Sequence, residues 1–316
     1  TDPSYSIVSF SDDKFVKLKH DGIDSWWLKH ETPDGLKLEE LQWKTTKADG
    51  SEWINGSPES ENNQLRQVGS LDAIRGQRGN VKTGSLGIFE FLSILGDKKT
   101  IVKVWKDALP FNDGQDKVTV FYPTYIPGNK IMRPGLKFKV EGTFMDKLNF
   151  VSLMLALFCG TAALPHILIR YYTVPTSACA RKSTIVAIGS IGLFYILTLF
   201  MGLGALTNNV INLESSNMSA PLLAKSFGMF LFAVISAVAF STVLGTVSGL
   251  IVASSGAIAH DFMGQFLNIQ MTDKQKVWAG KIAALSVGVI AIVLGIIFKG
   301  MNVSFLVGWA FAVAAS

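Results

Sequence analysis

The 316 residues hold 29 Lys+Arg against 24 Asp+Glu, a net charge of +5. Residues 1–145 carry 20 basic and 20 acidic side chains, whereas residues 146–316 carry 9 and 4 among long apolar runs. A positive excess confined to the apolar part is a membrane-topology signal, which excludes reading the basic pI as nucleic-acid binding.

Residues 1–56 read as β structure. Tyr5–Phe10, Lys14–His20, Asp24–His30 and Gly35–Trp43 alternate partly, and Asp21-Gly22, Asp34-Gly35 and Asp49-Gly50 supply hairpin turns. Ser57–Asn80 is polar and reads as a loop, and Thr83–Leu95 as a short helix. Strand patterns return at Thr100–Trp105, Lys117–Tyr122 and Leu136–Val140. The expectation is a mainly β domain over residues 1–145. Trp26, Trp27, Trp43, Trp53 and Trp105 can line a sugar or ligand cleft or fill the core, and core is the commoner use. His20 and His30 lack carboxylate or Cys partners at useful spacing and read as surface residues.

Residues 146–316 read as a transmembrane part of about five spans. These are Leu148–Tyr172, about Ser183–Leu206, about Phe227–Ile258, about Ile282–Phe298, and a last run opening at Asn302. The third is longer than a bilayer needs, which implies tilt or an interfacial turn near Lys225. Arg170, Arg181 and Lys182 flank one loop and Lys274, Lys276 and Lys281 another, whereas Thr207–Ser219 has Glu214 and no positive charge. The basic loops are then cytoplasmic and residues 1–145 lie outside, on the extracellular or periplasmic side. Cys159 in a span and Cys179 in a loop do not suggest a disulfide framework. The start at Thr1 and the stop at Ser316 within an apolar run read as an internal piece of a longer protein.

The first span is interrupted near its middle by Gly160-Thr161 and Pro165-His166. Proline lacks an amide hydrogen and crowds the carbonyl four residues back, so helical bonding weakens there. Backbone groups freed in lipid cost several kcal/mol unless protein, water or a ligand satisfies them. Broken helices at that depth mark binding sites in secondary transporters; a kink absorbed by neighbouring helices is the plain alternative. In the third span Val238, Ser241, Thr242, Gly245 and Gly249 share one helical face. That face can present hydroxyls to an alkali cation, or serve as a small-residue packing stripe whose hydroxyls bond back to their own helix. Charged residues sit almost wholly at span ends, which leaves no ligand set for an intramembrane protease or metal site. Asp261 reads as a loop or capping residue.

GTAALPHILIRYYTV (Gly160–Val174), ARKS, FAVISAVAFST (Phe232–Thr242), SGAIAHDF and FLVGWAFAVAAS resemble the sodium/solute symporter family, and its cation–acetate symporter branch most. The resemblance covers essentially residues 146–316, and IPGNKIMRPG (Ile126–Gly135) is similar to that branch's outer approach to the first span. Most of residues 1–125 looks like the extended extracellular insert of a subgroup. The resemblance implies the second half of a leucine-transporter-like inverted-repeat fold. In it the first span is partly unwound and the third binds the coupling ion. It implies sodium at the Val238 carbonyl, Ser241 and Thr242, and substrate against Leu157, Gly160, Thr161, Pro165 and His166. The absence of aromatic residues at Leu157 and Thr161 fits a small substrate.

The reading is therefore a cation-coupled symporter of a small monocarboxylate such as acetate, not an enzyme. It would sit in a bacterial cytoplasmic (inner) membrane, with sodium ion, carboxylate and lipid bilayer as partners and no cofactor beyond the coupling ion. A membrane sensor with an outer ligand-binding domain, a sodium symporter for another solute such as proline, and an anchored extracellular binding or adhesion module are the rivals.

Overall fold

A computed structural model of the chain describes residues 6–11, 14–20, 22–33, 35–60, 63–79, 81–133, 135, 138, 140–164, 168, 171, 173–299, 301 and 303–315. The chain divides into two compact units, residues 1–136 with 202–226, and residues 137–201 with 227–316.

In the first unit, β1 (Ser6–Ser11), β2 (Phe15–His20), β3 (Ile23–Thr32) and β4 (Gly35–Glu40) form an antiparallel meander. A second sheet runs β7 (Ser57–Pro58), β6 (Glu52–Ile54), β5 (Gln42–Thr46), β12 (Asp116–Pro127), β10 (Ile101–Asp107), β8 (Leu71–Ile74), β9 (Gln77–Arg78), with β11 (Phe111–Asp113) also paired to β12. Gly22, Gly35, Gly50 and Gly114 take positive φ at the tight turns, which is why each turn carries an Asp-Gly pair.

The expected strand Gly35–Trp43 is two strands in different sheets, which divide at Leu41. The Leu41 N–H donates to the Trp26 carbonyl at 2.9 Å, and Leu41, Gln42 and Trp43 are all buried. Three consecutive buried residues break the alternation of a single strand. Ser57–Asn80 is likewise not a plain loop, since it contributes β7, β8 and β9. Of the expected strand Leu136–Val140, Phe138 lies in a 3₁₀ turn and Val140 in a turn; Leu136, Lys137 and Lys139 are outside the described residues. The helix expected at Thr83–Leu95 is confined to α1 (Ile88–Leu95), and a single turn, α2 (Gly128–Ile131), follows β12.

Phe15, Trp26, Leu41, Trp43, Val118 and Val120 form one apolar core, and Ile54, Leu65 and Phe121 a second against which Trp105 and Leu213 pack. Trp26 and Trp43 are thus core residues, whereas Trp27, Trp53 and Trp105 are only half-buried. Leu213 comes from the segment after the second span, which pairs with the strand-like stretch 65–70. Gln67 N–H donates to the Ile211 carbonyl at 2.8 Å and Leu213 N–H to the Leu65 carbonyl at 3.1 Å. Asn209 Oδ1 accepts from both N–H and Oγ of buried Ser70, at 2.9 and 2.7 Å. Lys44 bridges Glu52 and Glu214 at 2.8 and 2.6 Å. Burial works against the Lys44 charge, but the Glu214 and Glu52 carboxylates outweigh it and raise the ammonium pKa. His30 is not the unpaired surface residue expected: its Nε2 lies 3.0 Å from Glu39 Oε2 on the adjacent strand.

The second unit is helical. Its helices are α3 (Phe144–Ala163), most of α4 (Ser177–Thr207), α6 (Met229–Gly256), α7 (Asp273–Ile297) and α8 (Val303–Ala315). The short helix α5 (Ser219–Phe227) belongs to the first unit as far as Ser226. Four helical stretches are long and apolar enough to cross a membrane, and their hydrophobic windows are 0–6% buried within the chain. Apolar side chains on such faces are suited to lipid or to further helices.

Thr143 and Asp146 form a capping box that starts α3 four residues before the expected span. α5 is separate from α6, and Gly228 at φ 139°, a conformation side-chain-bearing residues rarely adopt, breaks the chain between them. The expected loop Ala259–Lys281 is much shorter. α6 continues as a π-helical segment Ala257–Phe266, and α7 begins at Asp273. Asp261 is accordingly inside that segment, its Oδ1 2.8 Å from His260 Nδ1.

Candidate substrate and cation site

α3 ends where the residue order requires it. Ala163 is its last residue, and Leu164 is extended at φ −61°, ψ 116°. A residue before proline is pushed out of the α region by the proline ring, so Leu164 adopts the conformation Pro165 favours. Helix resumes beyond: Leu168 and Tyr171 are helical, and Leu168 N–H donates to the Leu164 carbonyl at 3.1 Å. The first span is therefore interrupted at Leu164, with the described residues Leu168 and Tyr171 helical again after it. Pro165 and His166, both candidate substrate residues, lie outside the described residues.

The other three candidates of this span are on its first piece. Leu157 is half-buried, and its carbonyl accepts the Thr161 hydroxyl at 2.6 Å. Gly160 is buried against α8, where a Cβ would overlap the Phe311 carbonyl. A close helix crossing with a small residue at the contact is the usual membrane solution. Its partner in the crossing is Gly308, where an added Cβ would stand 3.3 Å from Leu153 Cδ1. Phe311 was not visible as a functional neighbour in the sequence, because nothing local links position 160 to position 311.

The candidate cation residues are on α6. Thr242 Oγ1 donates to the Val238 carbonyl at 2.8 Å. This brings two of the three proposed oxygen ligands together on an exposed face, with Ser241 exposed beside them. Hydroxyls further along α6 bond back in the same way: Thr246 to the Thr242 carbonyl at 3.0 Å and Ser248 to that of Gly245 at 3.1 Å. Back-bonding of this kind is what Ser and Thr do in any apolar helix. The arrangement at Val238 and Thr242 therefore fits both a packing face and an ion face. α3 packs chiefly on α8 and α6 chiefly on α7, so the two candidate sets stand on separate helix pairs.

The joint at Leu164 follows from its position before Pro165, the interruption expected from the sequence. Sequence reasoning missed one backbone feature beside this site. The π-helical turn at Ala257–Phe266 directly follows the helix that carries Ser241 and Thr242. π-turns inside α-helices often accompany functional sites, but no residue period marks this one.

Comparison with known proteins bears on this geometry. The sodium:solute symporter family matches residues 108–316. The chain is 44% identical over 196 residues to the "Uncharacterized symporter YwcA" of Bacillus subtilis (strain 168), covering 60% of this chain and 37% of that protein. It is 47% identical over 194 residues to the "Monocarboxylic acid transporter" of Corynebacterium glutamicum, covering 59% of this chain and 35% of that protein. The chain thus spans just over a third of the length of these curated relatives. No solved structure matches it. With a first span interrupted at Leu164 and a family match over most of its length, the chain belongs to the sodium:solute symporter family.

Proposed function

We propose that the chain is part of a sodium-coupled symporter of a small monocarboxylate such as acetate, working by alternating access in a bacterial cytoplasmic membrane. The observation that carries the proposal is the interruption of α3 at Leu164. Backbone amides and carbonyls released within a span need partners other than their own helix. A carboxylate can accept from such amides, and a cation can take such carbonyls, which is how broken-helix transporters hold both solutes at their helix breaks.

In this reading the substrate sits against Leu157, Gly160, Thr161, Pro165 and His166. Sodium is bound by the Val238 carbonyl with the hydroxyls of Ser241 and Thr242. For Thr242 to serve as a ligand, its proton must turn away from the Val238 carbonyl, so both oxygens face the ion together. Sodium then favours the outward-open form and completes the substrate site. The aliphatic and hydroxyl lining at Leu157 and Thr161 suits a short carboxylate better than a bulky one. The relative named as a monocarboxylic acid transporter supports the same substrate class. The basic loops support a location of residues 1–145 outside the membrane.

The test is uptake of labelled acetate by the full-length protein in proteoliposomes, with and without an inward sodium gradient. Gradient-dependent accumulation is expected. Equal uptake under both conditions, or uptake of proline and none of acetate, overturns the assignment.

A further inference from the structure

The first unit contains a small pocket that the transport reading does not use. It has a volume of about 300 Å³ and opens between the β2–β3 turn, β5, β6 and the β11–β12 turn. Trp43 and Trp53 line it, with almost fully buried Trp26 beneath. Lys17 enters it held by two carboxylates, Asp113 Oδ2 at 2.7 Å and Asp24 Oδ2 at 3.1 Å. Lys47 Nζ lies 3.3 Å above the Trp53 ring, and Asp116 completes the charged lining.

One atom in this pocket is anomalous. Asp24 Oδ1 is buried and has no hydrogen-bond partner among the described residues, although its sister oxygen is paired with Lys17. A buried carboxylate oxygen without a donor is costly, and such groups mark a place where a water or ligand donor belongs.

We infer that this pocket binds a neutral polyhydroxylated ring, a single saccharide unit, through Asp24, Asp116, Lys17 and Lys47 with the indole of Trp53. The charge pattern selects the class. Three aspartates face two lysines across the pocket, so an anionic monocarboxylate meets three like charges and a cation meets two. A hydroxyl suits both signs, because it donates to a carboxylate and accepts from an ammonium. The C–H face of a sugar ring can lie on the half-buried indole of Trp53, taking the place of the Lys47 ammonium there, because the apolar body and polar edge of an indole match it. The volume is at the small end of ligand pockets, about 300–1,000 Å³, which restricts the occupant to about one ring.

The experiment is saturation-transfer difference NMR on the full-length protein in phospholipid nanodiscs, free of sugar-headed detergents. Glucose, galactose and N-acetylglucosamine are presented at millimolar concentration, with acetate and lysine as charged controls. At least one neutral sugar should receive saturation on its ring protons. Asp24→Asn and Trp53→Ala should each weaken its binding by about tenfold or more. If Asp24→Asn does not fold, Asp116→Asn with Trp53→Ala decides the same point, with thermal melting as the check on folding. No transfer to any of the three sugars overturns the inference. So does transfer undiminished in the folded variants, or binding of acetate or lysine in preference to sugar. The readout involves no transport, so it is independent of the symport proposal.

Discussion

The hydroxyl of Thr242 donates to the carbonyl of Val238 across one turn of α6, at 2.8 Å. Both oxygens belong to the proposed sodium set. The bond satisfies the Thr242 hydroxyl when no cation is there, which matters because an unpaired hydroxyl in an apolar span is costly. In the proposed site, sodium would exchange this bond for two ion contacts, and its loss would restore the bond. A conservative exchange separates the roles of shape and oxygen. Thr242→Ser should keep sodium-dependent uptake within a few-fold of the parent, whereas the near-isosteric Thr242→Val should abolish or strongly weaken it. Equal activity of both variants would mean that only helix packing is served here.

Gly160 tests the helix crossing. An added methyl there meets the Phe311 backbone, which cannot swing aside, whereas one at Gly308 meets the flexible tip of Leu153. Overpacking costs about 1–3 kcal/mol. Gly160→Ala should therefore lower the melting temperature of the full-length protein clearly more than Gly308→Ala. The reverse order in a detergent melt would contradict the crossing.

Asn209 ties the segment after the second span to Ser70 within the first unit. It adopts φ 56°, a left-handed conformation that asparagine tolerates better than most residues. Its Oδ1 serves two donors of Ser70, a residue only 1% exposed. Asn209→Ala strands both donors and should cost about 1–3 kcal/mol. Asn209→Asp retains the acceptor and should cost much less. Thermal unfolding followed by tryptophan fluorescence reports the difference, and similar losses in the two variants would argue against the pairing.

Acid sensitivity follows from Glu39. Burial alone would raise its pKa, but hydrogen bonds from Tyr125 and His30 and the charge of Lys103 outweigh burial, so the folded value is lowered. The Tyr125 hydroxyl donates to Glu39 Oε1 at 2.6 Å, and Lys103 Nζ lies 3.4 Å from the same oxygen. These contacts link β4 of the first sheet to β10 and β12 of the second. Because the folded carboxylate binds its proton less readily than the unfolded one, its stabilisation is present above the ordinary glutamate pKa of about 4.3. It is lost as pH falls through the lowered folded value. Glu39→Gln should cost about 1–2 kcal/mol at neutral pH, near the low end for a charged hydrogen-bonded group because Glu39 is partly solvated. The gap to the parent should close towards pH 3 in melting curves. A gap that is constant from pH 7 to pH 3 would exclude an ionised Glu39 as its source.

Local features were the legible ones. Four long apolar runs marked the membrane helices, Asp-Gly pairs marked hairpin turns, and Pro165 marked the interruption at Leu164. What escaped was set by partners distant in sequence. Leu41 turns the chain between sheets because its amide finds Trp26. Buried Gln42 holds Arg66 with its side-chain amide, donating to the carbonyl at 2.8 Å and accepting from the N–H at 3.2 Å. The segment 202–226 joins the first unit through Asn209, Ile211 and Leu213, which local composition alone reads as an ordinary loop between spans. In the candidate site the oxygen-bearing face of α6 was legible from its spacing. The packing of Gly160 under Phe311 and the π-helical turn after Gly256 were not, since neither leaves a periodic trace.

The most direct test of the sodium assignment is a sodium titration of substrate uptake by the full-length protein and its Ser241→Ala, Thr242→Ala and Ser248→Ala variants. Ser248 is a useful control, because its hydroxyl bonds to the Gly245 carbonyl and it lies about two turns, roughly 10 Å, further along the helix than Ser241. Removing one oxygen ligand should cost about 1–3 kcal/mol, or roughly tenfold to a hundredfold in apparent sodium affinity, at Ser241 and Thr242. Substrate affinity at saturating sodium should change much less, and Ser248→Ala should behave like the parent. Superimposable sodium curves for all four proteins would contradict the assignment and leave this stretch of α6 as a packing face.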